Sequence, residues 1–132
     1  MEDININDFD ALALPGGFEI YGFYKDAYDK QFLDLIRDFR ADNKTIATIC
    51  VGALPLAKSG ALKNKKGTTY NSTLRREALN EFGVNVINNP IVVDDNMITS
   101  WNPSTAVNVA LLLLELLTTK RNANEVRQLM GF

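Results

Sequence analysis

The sequence contains no histidine and a single cysteine, Cys50, in 132 residues. One cysteine cannot form an intrachain disulfide, and without histidine every zinc site built from thiolates and imidazoles is excluded. A Ser–His–Asp triad or a Cys–His dyad built from this chain alone is excluded for the same reason. We therefore expect no metal and no other cofactor, and the single thiol becomes the first candidate for chemistry.

The sequence also lacks an excess of positive charge and a long hydrophobic run. Its net charge is −2, whereas nucleic-acid-binding domains usually carry a basic excess, so no nucleic-acid partner is expected. The longest apolar run, residues 107–117, is interrupted by Asn108 and Glu115 and falls short of the roughly 18 residues of a membrane span. The first residues lack the basic and apolar regions of a signal peptide, which predicts a cytoplasmic location.

The remaining pattern alternates between strands and helices, which predicts one α/β domain over residues 1–132. Pro15-Gly16-Gly17 ends an apolar strand at 11–14, and a β-branched run at 45–49 is typical of an interior parallel strand. Later strands are expected at 67–70, 84–87, 91–94 and 97–100, the last two joined as a hairpin. Helices are expected from Tyr28 to 42–43 and at 51–60, 73–82, 105–118 and 122–130, with Ser104 as a candidate cap.

Cys50 is predicted at the junction between the 45–49 strand and the following helix. Unpaired N–H groups and the helix dipole at such a junction favour an anion, so we expect the thiolate to be stabilised. Gly52 would permit a sharp turn that exposes the sulfur. The N–H groups of the Pro15-Gly16-Gly17 loop would face the sulfur if the two strands are neighbours. The alternative is that Cys50 is a small buried apolar residue.

Several segments together resemble the ThiJ/PfpI superfamily. They are Asp10-Ala-Leu-Ala-Leu-Pro-Gly-Gly17, Ala47-Thr-Ile-Cys-Val-Gly52, Leu56-Ala-Lys-Ser-Gly60, Thr68-Thr-Tyr70, Val92-Val-Asp94-Asp-Asn96 and Pro103-Ser-Thr-Ala106. The resemblance spans nearly the whole chain. It implies a flavodoxin-like three-layer sandwich with a mostly parallel sheet, similar to class I glutamine amidotransferase domains. It also implies that Cys50 is the elbow cysteine and that the N–H groups of Gly17 and Val51 face it.

The sequence departs from the family pattern at the acid and at the base. Val51 and Tyr70 occupy positions where many active members have histidine, and tyrosine is a poor base at neutral pH. The family's acid lies at the end of a first strand, and this chain begins after that strand. The resemblance thus implies an amino-terminally truncated domain whose next strand has an open edge. We expect another copy, a complementing amino-terminal chain, or residues 1–9 with Ile4 and Ile6 to cover that edge.

Four further residues are candidates for lining a pocket beside Cys50. Glu19 and Tyr21 follow the glycine loop, Tyr70 follows the Thr68-Thr69 pair, and Trp101 follows the last predicted strand. In open α/β sheets, ligands bind at the carboxyl ends of the strands, where these residues are expected. Glu19 is the carboxylate that would replace the absent acid. For Tyr70, simple packing at the rim of the sheet is an equal alternative.

Three functions follow from these residues. The first is an enzyme of glyoxalase, deglycase or isonitrile hydratase type, or its degenerate form, acting through Cys50 on a small electrophile. The second is a redox-sensing or stress protein in which Cys50 is oxidised. The third is a non-catalytic subunit that completes its sheet with a partner chain.

Overall fold

The computed structural model describes residues 4–132, and Met1–Asp3 lie outside the described residues. Within residues 4–132, six strands form two sheets. They are β1 (Ala11–Leu14), β2 (Thr45–Thr48), β3 (Lys66–Gly67), β4 (Asn85–Val86), β5 (Ile91–Asp94) and β6 (Met97–Ser100). The main sheet has the order β1-β2-β6-β5, and β3 pairs with β4 in a separate two-stranded sheet.

The main sheet is parallel except at one edge. β1 pairs in parallel with β2, and β2 with β6, while β5 and β6 form an antiparallel hairpin. Asp95 and Asn96 connect the two hairpin strands, and Asp95 has φ +57, a conformation that Asp tolerates in tight turns. The predicted mostly parallel sheet and its hairpin at 94–97 are confirmed.

In the described part of the chain, six α-helices cover the sheets. They are α1 (Phe23–Ala27), α2 (Lys30–Ala41), α3 (Ala53–Lys58), α4 (Thr73–Glu81), α5 (Ala106–Leu117) and α6 (Lys120–Leu129). Side-chain caps set three of the starts: Asp29, Ser72 and Thr119 accept hydrogen bonds from backbone N–H groups of α2, α4 and α6. Gly83, with φ +81, follows α4 in the left-handed conformation that commonly ends a helix.

Alternation along the strands divides the core into two layers. Ile46 and Met97 belong to a cluster with residues of α2 and α3 on one face of the sheet. Their neighbours Ala47 and Ile98 pack with Val109 of α5 on the other face. β2 is buried along its whole length, as expected of a strand covered by helices on both sides. The three-layer α/β arrangement predicted from the sequence is confirmed.

Two sequence expectations differ from the structure. Ser104 is exposed, and Thr105 makes the local contacts instead: its hydroxyl is 2.9 Å from the Ser100 Oγ and 2.7 Å from the Asn102 carbonyl oxygen. The proposed cap at Ser104 is therefore wrong. Residues 4–9 contain one 3₁₀ turn, Ile6–Asp8, and no strand, so Ile4 and Ile6 do not cover an edge; the rest of that prediction falls on Met1–Asp3, outside the described residues.

Candidate functional site: the strand–helix turn at Cys50

Cys50 lies in a sharp turn between β2 and α3. The turn Cys50–Gly52 is a single 3₁₀ turn, and Cys50 itself has φ +60. A residue with a Cβ adopts this left-handed conformation rarely and at a cost, so its presence marks a backbone held in place by its surroundings. The predicted abrupt change from strand to helix at the cysteine is confirmed.

Two glycines allow the loop after β1 to pack against this turn. A Cβ at Gly52 would lie 2.5 Å from the Leu14 carbonyl oxygen and 2.8 Å from that of Pro15. A Cβ at Gly16 would lie 2.8 Å from the Cys50 Cβ and 3.2 Å from its Sγ. Real Cβ atoms essentially never approach this closely, so both positions need glycine for the two segments to meet.

Hydrogen bonds from neighbouring strands fix the turn. The Ile49 N–H donates to the Leu14 carbonyl oxygen at 3.1 Å. The buried Thr69 hydroxyl donates to the Cys50 carbonyl oxygen at 3.0 Å. Because these contacts come from two other parts of the chain, β1 and the segment after β3, the backbone that carries the sulfur is fixed on both sides.

The electrostatics of the thiol differ from the sequence expectation. Burial is the largest influence and raises the pKa of the half-buried Cys50 thiol, because it disfavours the charged form. A hydrogen bond from the Val51 backbone N–H and the positive charge of Arg75 act in the opposite direction and lower that pKa. The expected net stabilisation of the thiolate is therefore wrong: desolvation outweighs the backbone N–H, and α3 begins only at Ala53.

Arg75 is a functional candidate that the sequence analysis missed. Its guanidinium carbon lies 4.9 Å from the centroid of the Tyr24 ring, and its Nη2 donates to Glu19 Oε2 at 3.1 Å. The Ser72 cap places Arg75 in the first turn of α4, where its own backbone N–H is bound by the Ser72 Oγ at 3.3 Å. No sequence motif connects residues 19, 24 and 75, although an arginine three residues after a helix cap is a weak signal.

Tyr24 completes this cluster. Its hydroxyl is buried and has no hydrogen-bond partner among the described residues. Burial raises the pKa of Tyr24; Arg75 lowers that pKa, while negative charge on Glu19 or Cys50 raises it. Tyr24 also makes an edge contact with Phe23, at 5.1 Å between ring centroids, and Phe23 packs against Gly17. The cluster therefore connects the glycine loop to α4.

The predicted pocket residues occupy different positions. Glu19 pairs with Arg75 and so belongs to the cluster of Arg75 and Tyr24. Tyr21 is 80% exposed and contacts Phe18 edge to face. Tyr70 is partly exposed and follows Thr69, whose hydroxyl binds the Cys50 turn. Trp101 follows β6, and its indole N–H is buried without a hydrogen-bond partner among residues 4–132.

The loops that carry Tyr70 and Trp101 are neighbours. The Asn71 N–H lies 3.4 Å from the Asn102 Oδ1. A separate apolar cavity of about 210 Å³ lies between Leu14, Pro15, Phe23 and Phe32. Within the described residues, no three His, Cys, Asp or Glu side chains are grouped as metal ligands.

A model of the DJ-1/PfpI family matches residues 1–116 of this chain. The chain belongs to that family. The match includes the glycine loop, the Cys50 turn and the segment of α4 that carries Arg75. The family is the ThiJ/PfpI superfamily that the sequence motifs resemble, and its identification from those motifs is confirmed.

Known members of the DJ-1/PfpI family are similar over most of this chain. Deglycase PfpI of Pyrococcus furiosus is 34% identical over 102 residues, which are 77% of this chain and 58% of that protein. Glutathione-independent glyoxalase DJ-1 of Schizosaccharomyces pombe is 39% identical over 88 residues, 67% of this chain and 44% of that protein. The solved structure of Schizosaccharomyces pombe DJ-1 matches with a TM-score of 0.81 and 31% identity, covering 96% of this chain and 64% of that one. The fold is thus flavodoxin-like, and the chain spans less than two thirds of each of these proteins.

Proposed function

We propose that this chain carries the nucleophilic half of a glyoxalase- or deglycase-type site, in which the Cys50 thiolate adds to the carbonyl carbon of a small aldehyde. The observation that carries the proposal is the left-handed turn at Cys50, packed against the glycine loop at Gly16. Two similar family members bear the names deglycase and glyoxalase, which supports this reaction class. An isonitrile, whose carbon is also electrophilic, is the other small electrophile in this class of substrates.

The first chemical step uses groups that the chain itself supplies. The thiolate sulfur forms a bond to the aldehyde carbon, and the π electrons of the C=O bond move onto oxygen. In the proposal, the backbone N–H groups of Gly17 and Val51 donate to that oxyanion. Preorganised backbone donors of this kind stabilise developing negative charge strongly, because they need no reorganisation during the reaction.

A proton must reach the oxyanion to give the neutral hemithioacetal. In the proposal, that proton comes from the Cys50 thiol by way of water, because the thiol has to lose it before attack. No histidine is present to act as the base, and the raised pKa of the thiol leaves only a small thiolate fraction at neutral pH. We therefore expect the chain alone to be a slow catalyst whose rate rises with pH.

The assay measures loss of methylglyoxal by purified protein, beside Cys50→Ser and the control Ser59→Ala. Ser59 is buried near the end of α3, and its hydroxyl bonds to the Leu56 carbonyl oxygen, so the control tests a local polar change without touching the sulfur. Cys50→Ser should abolish the activity, and Ser59→Ala should retain it. Equal activity in wild type and Cys50→Ser would overturn the proposal.

A redox or stress role is the second candidate, and the charge near the sulfur favours it. Hydrogen peroxide would oxidise the Cys50 thiolate to a sulfenate, with water as the reduced product, and a second peroxide would give the sulfinate. Burial raises the pKa of the Cys50 thiol on balance, but the Val51 N–H and Arg75 act in the opposite direction, and these two groups would favour the anionic products. Mass spectrometry after mild peroxide treatment should show added oxygen on the Cys50 peptide. An unmodified peptide would contradict this role.

The edge of the main sheet supports a proposal about assembly. Among residues 4–132, β1 pairs with β2 and with no strand on its other side, and unpaired edge strands invite pairing with another strand. We propose that the 132 residues act as one domain whose β1 edge is covered by a second copy or by a complementing amino-terminal chain. Light scattering tests this, and a monomer that recruits no strand would contradict it.

We propose that the chain works in the cytoplasm, where a reducing environment keeps a lone thiol free. None of the helices in the described part of the chain is long and apolar enough to cross a membrane. Fractionation of cells that produce the protein tests the location. Recovery outside the cytoplasm would contradict it.

A further inference from the structure

Arg75 is joined through Tyr24 and Phe23 to the glycine loop that packs against Cys50, and its contacts leave most of its hydrogen-bonding capacity free. A guanidinium has five N–H donors, and among the described residues Arg75 uses a single side-chain hydrogen bond, to Glu19. The guanidinium carbon lies over the Tyr24 ring, 4.9 Å from its centroid, a cation–π contact that restricts where the group can go. Its side chain is 24% exposed. The group is thus oriented and accessible, with donors available to a further acceptor.

Glu19 is a weak and replaceable partner for Arg75. Its side chain is 71% exposed, and ion pairs between exposed groups contribute little because water competes for both charges. Glu19 lies in a 3₁₀ turn, Glu19–Tyr21, on the exposed segment after the glycine loop. A carboxylate or phosphate from a ligand would compete with it for the same guanidinium, with the bidentate geometry that arginine favours.

A second polar group in the same cluster also lacks a partner. The Tyr24 hydroxyl is buried and makes no hydrogen bond within residues 4–132, and such a group costs stability unless a ligand or water satisfies it. Tyr24 packs, like Cys50, against the core cluster on one face of the main sheet, and its ring contacts both Arg75 and Phe23. A cation with free donors and an unpaired hydroxyl therefore meet in the cluster that packs, through Phe23, against the glycine loop beside Cys50.

We propose that Arg75, masked by Glu19 in the free protein and oriented by Tyr24, is a specificity residue that selects electrophiles carrying a carboxylate or phosphate near the reacting carbon. The proposal rests on the proposed function, because it assigns a substrate class to the same thiol. An anionic group on the substrate would displace Glu19 and pair with Arg75, and this would hold the electrophilic carbon beside Cys50. Neutral aldehydes of similar size would gain no such contact.

The test compares two alkylating agents of similar size, the anionic iodoacetate and the neutral iodoacetamide. Iodoacetate and iodoacetamide both react by displacement of iodide by the Cys50 thiolate, and Cys50 is the only cysteine of the chain. Both rates depend on the same thiolate fraction, which therefore cancels in their ratio. A change in the ratio between variants reports a change in the attraction of the anionic reagent. The variants are Arg75→Gln, Arg75→Lys and Glu19→Gln. The matched control is Arg76→Gln, because Arg76 is on the same helix and donates instead to Asn88 Oδ1 at 2.8 Å.

Arg75→Gln should lower the iodoacetate-to-iodoacetamide ratio by about three- to tenfold, the scale of one nearby charge at a protein surface. Glu19→Gln should raise the ratio, Arg75→Lys should keep part of it, and Arg76→Gln should leave it unchanged. An equal ratio in wild type and Arg75→Gln, or an equal fall in Arg76→Gln, would overturn the proposal.

A second measurement separates this proposal from the proposed function. Glyoxylate, an aldehyde next to a carboxylate, is used as an inhibitor of methylglyoxal loss, and its potency should fall at least threefold in Arg75→Gln. If methylglyoxal is not consumed at all, the proposed function fails while the alkylation ratio still decides the role of Arg75. If methylglyoxal is consumed and the ratio is unaffected by Arg75→Gln, the specificity proposal alone fails.

Discussion

The Cα of Gly16 lies so close to Cys50 that a Cβ added there would stand 2.8 Å from the Cys50 Cβ. This approach brings the loop after β1 directly against the left-handed turn that presents the sulfur. The two segments cannot move apart without loss of the pairing between β1 and β2. The site therefore depends on glycine at positions 16 and 52, where the loop and the turn meet.

Gly52→Ala should destabilise the protein by about 1–3 kcal/mol, the usual cost of forcing extra atoms into a packed region. The added Cβ would lie 2.5 Å from the Leu14 carbonyl oxygen, so β1 or the Cys50 turn must move. Urea unfolding gives the free energy, and because Gly52 has φ −59, the alanine adds no left-handed backbone strain of its own. A change of less than about 0.5 kcal/mol, the range of ordinary surface substitutions, would contradict the close approach.

The backbone at Cys50 predicts an unusual order of stability among substitutions. Because Cys50 has φ +60, Cys50→Gly should be more stable than Cys50→Ala by about 1 kcal/mol, since glycine adopts this conformation without strain. At Ala41, the last residue of α2, the same comparison should have the opposite sign, with Ala41→Gly less stable than wild type. Thermal unfolding of the four proteins checks both signs, and a less stable Cys50→Gly would show that the turn is not strained.

The raised pKa of Cys50 predicts a loss of stability at alkaline pH. The folded state keeps the thiol proton over a pH range where the unfolded chain, with an unshifted pKa, has lost it. The stabilising difference is therefore complete below the unfolded pKa of about 8.5 and is lost as the pH rises from there through the raised pKa of the folded state. Between pH 7 and pH 10, the free energy of unfolding should fall more for wild type than for Cys50→Ala. Equal falls would show that burial does not shift the thiol.

Arg75→Gln should move the pH midpoint of Cys50 alkylation by iodoacetamide to higher pH, because the guanidinium lowers the pKa of the thiol. Arg76→Gln is the control, since Arg76 binds Asn88. The measurement is the alkylation rate between pH 7 and pH 10. Identical midpoints for wild type and Arg75→Gln would place the charge of Arg75 too far from the sulfur to matter.

Tyr24→Phe should leave the free protein at least as stable as wild type, because it removes a buried hydroxyl that has no partner among the described residues. An unsatisfied buried group costs about 1–3 kcal/mol, so a gain of up to that size is expected in thermal unfolding. The edge contact with Phe23 is retained by phenylalanine. A clear loss of stability would show that the hydroxyl is bonded in solution.

Local sequence patterns predicted the main strands and the strand–helix turn at Cys50. The β-branched run before Cys50 and Gly52 after it indicated a strand that turns at once into a helix, because such a run suits a buried parallel strand and glycine permits the turn. Two of the three wrong expectations, the Ser104 cap and the stabilised thiolate, have a common origin in tertiary contacts. The connection between β6 and α5 brings the hydroxyl of Thr105, and not that of Ser104, to Ser100. At the site, burial of Cys50 by other segments raises the pKa of its thiol more than the local Val51 N–H lowers that pKa.

Arg75 shows what the sequence could not predict. Glu19, Tyr24 and Arg75 lie on three separate elements, and the ion pair and ring contact that join them exist only after α4 packs beside the glycine loop. By contrast, Gly17, Val51 and Cys50 could be proposed from the sequence, because they lie in short motifs next to strand ends that resemble the family's motifs.

The most direct test of the central claim is carbon NMR of the protein with methylglyoxal labelled at the aldehyde carbon. The account predicts a hemithioacetal carbon signal at up to one equivalent per chain, which is absent in Cys50→Ala and retained in Ser59→Ala. Absence of that signal in wild type, or the same signal in Cys50→Ala, would contradict the claim that the thiol at this turn is the nucleophile.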